Sequence, residues 1–76
     1  MKTQRIKFYF KTGLSVQVVV KSSIVKTIKK EMARCFYDEN GHLRPDPLGT
    51  IVIDNEFGVS LFSANAADLR PVITIS

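Results

Sequence analysis

The sequence has no tryptophan, one histidine and one cysteine, and each scarcity removes a class of chemistry. Cys35 alone can form no internal disulfide, and its place in an apolar helical stripe makes it a small buried side chain suited to a reducing compartment. A structural zinc site wants four Cys or His ligands, and the chain offers one of each. His42 has Asp38, Glu39 and Asp46 nearby, but no helix or strand sets their spacing, so the group reads as a solvated loop. A calcium loop beginning at Asp38 fails at Leu43, where glycine is needed. There is no G-x-S-x-G elbow for a serine nucleophile and no glycine fingerprint for phosphates. The four glycines fall in four separate turns, where backbone geometry accounts for them. The expectation is a protein that is not an enzyme, with no cofactor, metal or small-molecule substrate.

Long apolar runs are missing too, so no segment reads as a membrane span. The opening MKTQRIKFYFKTG carries Lys7 and Lys11 inside what would have to be the apolar part of a signal peptide. A soluble cytoplasmic protein is therefore expected. With 45% hydrophobic and 24% charged residues the composition is that of an ordinary globular chain, and 76 residues make a single domain, 1–76. A core this small leaves little margin over chain entropy, so a partner or a second copy would add stability. The net charge of +4 raises the weight of a polyanionic partner.

What is present is clear periodicity. Residues 4–11 alternate, with Ile6, Phe8 and Phe10 on one side and Arg5, Lys7, Tyr9 and Lys11 on the other. Residues 14–20 alternate as well, placing Leu14, Val16, Val18 and Val20 on one face. Pairing the two apolar faces requires Phe8 opposite Val16 and Ile6 opposite Val18, which a three-residue loop of Lys11, Thr12 and Gly13 provides, with Gly13 in the left-handed position of a bulged turn. Residues 23–36, SIVKTIKKEMARCF, form the one amphipathic helix. Ile24, Val25, Ile28, Met32, Cys35 and Phe36 make its apolar stripe and Lys26, Lys29, Lys30 and Arg34 its basic one. Ser22 or Ser23 is the expected cap.

Residues 38–49 are turn-forming, with Asn40 and Gly41 at the tip of a short hairpin and Pro45 and Pro47 barring a helix. Residues 50–54 and 59–63 make a second hairpin in which strict alternation pairs Ile53 with Val59 and Ile51 with Leu61. A helical turn near 66–69, capped by Asn65, leads to a last strand, VITIS. The fold class is α+β in the order β-β-α-β-β-β: a bent antiparallel sheet or half-open barrel of about five strands packed on the helix at about 23–37.

The closing stretch GVSLFSANAADLRPVITIS resembles the end of Sm-like and SH3-like small barrels, in which a strand, one helical turn and a final strand close the sheet. In Sm-like proteins the helix precedes the first strand, whereas here a hairpin precedes it. The whole chain, with FYFKTG, a short helix and a GVSLF strand, resembles small uncharacterised proteins of Gram-positive bacteria and their mobile elements. That resemblance implies a bacterial source and no particular activity.

Two functional expectations follow. The first is a small protein-interaction module, binding a protein partner or forming a homodimer. Its surface would be the edge of the last strand (Val72, Ile73, Thr74, Ile75) or an apolar contact through Val19, Phe57 and Phe62. The second is a single-stranded nucleic-acid-binding module. Its aromatic and cations would be those of the first strand, Arg5, Lys7, Tyr9 and Lys11. The basic helix face reads as a solvated surface on the opposite side of the molecule.

Overall fold

The computed structural model describes residues 2–76. Five strands, all paired antiparallel, and one helix follow the expected order. They are β1 (Thr3–Phe10), β2 (Ser15–Lys21), α1 (Val25–Phe36), β3 (Thr50–Asp54), β4 (Ser60–Asn65) and β5 (Leu69–Ile75). Hydrogen bonding divides the strands into a three-stranded sheet, β2-β1-β5, and a two-stranded one, β3-β4. One core lies between them and α1, built from Ile6, Phe8, Val18, Val20, Val25, Ile28, Met32, Cys35, Phe36, Ile51, Ile53, Phe62, Ala66 and Leu69.

The first hairpin has the expected register, Phe8 opposite Val16 and Ile6 opposite Val18. Gly13 at φ +99° closes its turn, donating its N–H to the Phe10 carbonyl at 3.0 Å. An alanine there would meet backbone strain and no steric obstacle, since nothing lies near its Cβ position. The apolar face of β2 is buried only at Val18 and Val20; Val16, and Leu14 just before the strand, stay exposed.

The helix enters differently from expectation. Neither serine caps it: a 3-10 turn, Ser22–Ile24, leads directly into α1 without any side-chain cap. Its exit is closed by the chain that follows. The Cys35 carbonyl accepts the Leu48 N–H at 2.9 Å, and the Phe36 carbonyl accepts the Arg44 N–H at 2.7 Å. Residues 38–49 thus act as a strap that satisfies carbonyls every helix C-terminus leaves open, in place of a C-terminal glycine. Gly41, at φ +81°, serves the turn inside the strap, where Tyr37 and Leu43 form a single bridge.

The second hairpin corrects the alternation argument. Ile53 faces Phe62 and Ile51 faces Ala64, whereas Asp54 faces Ser60, so Leu61 is one residue extra on β4. A bulge of one residue reverses every side chain beyond it. Phe62 therefore points inward and is buried, while Val59 and Leu61 are exposed. The tip is held by Asn55, whose Oδ1 accepts the N–H groups of Phe57 at 2.8 Å and Val59 at 3.0 Å. Asn65 precedes the 3-10 turn Ala66–Asp68 without capping it; its Oδ1 accepts the Thr50 hydroxyl instead.

Phe62 stacks on Phe8, with ring centroids 4.4 Å apart and planes 10° from parallel, and meets Phe10 edge-on at 6.2 Å. The bulge and the stack make opposite predictions for neighbouring residues. Phe62→Ala should destabilise the fold by about 3–5 kcal/mol in urea unfolding, whereas Leu61→Ala should cost under about 1 kcal/mol. Equal losses at the two sites would contradict the register.

Candidate functional site

β1 is the central strand of its sheet. Its inward residues Ile6 and Phe8 belong to the core, so Arg5, Lys7 and Tyr9 necessarily occupy the other face. Beside them β2 contributes Ser15, Gln17 and Val19. β5 adds a third strand to this face, with Thr74 opposite Lys7. Between Ile73, opposite Phe8, and Leu69, opposite Phe10, the three residues Arg70, Pro71 and Val72 stand against Tyr9 alone. Pro71 sits in this irregularity on an outer strand, a place where a missing N–H breaks no regular ladder.

The Tyr9 hydroxyl and Thr74 Oγ1 are hydrogen-bonded at 3.1 Å, tying the ring to β5. Tyr9, Phe10, Leu14, Arg70, Val72 and Thr74 line a shallow groove there. Arg70 is the residue that sequence reasoning missed. Pairing across more than sixty positions brings it to Tyr9, and no local pattern signals such a neighbour. Among the described residues Arg5, Lys7, Lys11 and Arg70 have no carboxylate partner.

The helix stripe is less free. Arg34 donates to Glu31 at 2.5 Å, and that hydrogen bond raises the guanidinium pKa above its ordinary value. Lys26, Lys29 and Lys30 are exposed. Because α1 packs its apolar side on the core, this stripe faces away from the β1 face, and no continuous basic track joins the two.

β5 pairs only with β1, so its other side is a sheet edge. Arg5 and Ser76 exchange both backbone hydrogen bonds at 2.9 Å. In an antiparallel ladder such pairs alternate with residues whose N–H and C=O point away. Thr74 therefore faces β1, and Ile73 and Ile75 turn their peptide groups to the open side. Val72 and Thr74 are exposed; the Ile73 and Ile75 side chains are half-buried against the core. Of the other expected contact residues, Val19 and Phe57 are exposed and line a groove between β2 and the second hairpin, bridged by the Lys21 and Glu56 ion pair. Phe62 belongs to the core and is no part of an interface.

The His42 loop has a local purpose. Asp38 Oδ1 accepts the N–H groups of Asn40 and His42, both at 2.9 Å, and His42 Nδ1 lies 3.9 Å from Asp38 Oδ2. Among the described residues no helix is long and apolar enough to cross a membrane. Comparison with protein-family models, with curated proteins and with solved structures finds no match to this chain.

Cys35 is fully buried. Burial pushes its thiol up from the ordinary value, because the thiolate would lose its hydration; Glu31 adds to this, while Arg34 and Arg44 oppose it. Above the ordinary thiol range the unfolded chain ionises while the native one keeps its proton, so stability falls as pH rises through that window. Urea midpoints measured across alkaline pH should fall more steeply for the native sequence than for Cys35→Ala. Parallel profiles would show that the thiol does not titrate differently on unfolding.

Proposed function

We propose that the protein is a small non-enzymatic interaction module that pairs with another polypeptide through the outer edge of β5, with a second copy of itself as partner. One observation carries this reading: Ile73 and Ile75 turn their peptide groups to an edge with which, among the described residues, no strand pairs. A reducing, cytoplasmic setting is supported by the single buried thiol.

The edge selects a register. A two-fold axis through Thr74 sets Ile73 against Ile75 of the second copy, and the reverse, giving four backbone hydrogen bonds. Pro71, which has no N–H, falls outside the paired segment. A register centred on Ile73 would instead set Ile75 against Pro71 and lose donors. In the Thr74-centred register Val72 meets Ser76 and Thr74 meets its own copy, so no like charges are opposed. Arg5 and Lys7 lie three strand spacings from their counterparts, about 14 Å, which is beyond the screening length of about 10 Å at 0.1 M salt. The product is a six-stranded sheet made of two three-stranded ones.

Four hydrogen bonds at about 1 kcal/mol each do not by themselves overcome the loss of translational freedom. The contribution of Ile73, Ile75 and Val72 then decides the balance, and the dimer is weak. Sedimentation should show a dimer that dissociates on dilution to low micromolar protein. Thr74→Lys sets two lysines face to face and should abolish it, and mixing Thr74→Lys with Thr74→Glu should restore a heterodimer. A strict monomer at every concentration would overturn self-pairing, and a mixture that stays monomeric would overturn the register.

A further inference from the structure

We infer that the outward face of β2-β1-β5 is a binding site for single-stranded nucleic acid, centred on Tyr9 and Arg70. This surface is distinct from the β5 edge and does not require pairing. Arg5 and Lys7 alternate with Tyr9 along β1, Lys11 follows in the turn and Arg70 stands against Tyr9, and among the described residues none of these four cations has a carboxylate partner. The outward positions of the three strands hold Thr3, Ser15, Gln17, Val19, Lys21, Val72 and Thr74 besides, with no acidic residue among them. Of the seven acidic residues of the chain, two reach the margin of this face, Asp68, whose carbonyl accepts the Lys11 N–H at 3.0 Å, and Glu56, ion-paired to Lys21, and the other five lie on the helix, in the strap and in the second hairpin. The strands of this face therefore carry positive charge and no negative side chain of their own, in a chain of net charge +4.

The ring is pre-positioned. With its hydroxyl bonded to Thr74, Tyr9 has less freedom to lose when a base stacks on it. The groove beside it carries the apolar surfaces of Leu14 and Val72, which suit a second base or a sugar, with the Arg70 guanidinium at hand for a phosphate. Alternate residues of β1 are about 6.6 Å apart, so Arg5 and Lys7 can follow the backbone of an extended strand. The strands of this sheet span only about 10 Å across, and a paired base has no free face for Tyr9. Both facts favour a single strand over a duplex. Polar groups reading base edges are few here, so recognition is tolerant of sequence.

Fluorescence anisotropy of a labelled mixed-sequence 12-mer, as DNA and as RNA, tests this with the intact chain. Four phosphate contacts predict that log affinity falls with log salt at a slope of about −3, since each contact contributes about −0.7 for single strands. Arg70→Ala and Lys11→Ala should each reduce that slope. Tyr9→Ala should weaken binding roughly ten- to hundredfold, and Tyr9→Phe, which keeps the ring, should retain most of it. Circular dichroism checks the fold of each variant, and if Tyr9→Ala does not fold, the Arg70 and Lys11 variants decide. Absence of binding at low salt would overturn the proposal. So would tighter binding of the matching duplex, or binding lost in a Lys26, Lys29 and Lys30 triple alanine variant but intact in the Arg70 and Lys11 variants. A monomer that binds the 12-mer leaves this site standing and overturns only self-pairing.

Discussion

The Phe8 and Phe62 stack is the contact on which the architecture depends. No backbone ladder joins β3-β4 to β2-β1-β5, so apart from the 3-10 turn that carries the chain from β4 into β5 the two are held together by side chains, the Lys21 and Glu56 pair among them. Parallel rings 4.4 Å apart give that junction both area and direction. Once it is made, α1 can lay a single apolar stripe over both sheets, burying Ile28 and Met32 in the same core as Ile51 and Phe8. Without it the second hairpin, a two-stranded ribbon that would be marginal in water alone, would rest chiefly on the contact of Ile51 and Ile53 with α1.

Much of this was legible from residue order because the signals were redundant. In β1 and β2 strict alternation, β-forming side chains and a glycine at the turn all demanded one register, and the helix stripe demanded something to cover. The second hairpin had only alternation to offer, and alternation carries a parity that a single inserted residue inverts. Val59, Leu61 and Phe62 are all apolar, so nothing in their chemistry marked which set would be buried; in the structure it is Phe62, stacked on Phe8. The strap was illegible for another reason. Leu48 and Arg44 close the helix with backbone groups, which every residue possesses.

The face around Tyr9 was half visible. Arg5, Lys7, Tyr9 and Lys11 alternate along one strand and could be read directly. Thr74 and Arg70 reach them only through the pairing of the first and last strands, a contact that no local pattern encodes. The same pairing determines which edges stay open. Beside β2 lies the second hairpin, linked to it through Lys21 and Glu56, whereas β5 has no such neighbour. Pro71 interrupts the β5 edge within the irregularity opposite Tyr9, and it leaves the stretch after it available.

The central place of β1 has a bearing on how the chain reaches its fold. β1 meets β2 across a three-residue turn but meets β5 only across nearly the whole chain, so its two ladders form under very different entropy costs. The first hairpin can close within microseconds; the second ladder must wait for every intervening element. During synthesis β1 therefore spends its time as an edge strand, with the Phe8 ring unstacked, until β4 and β5 have emerged. Premature encounters between nascent chains would occur on that temporary edge, which only the arrival of β5 closes.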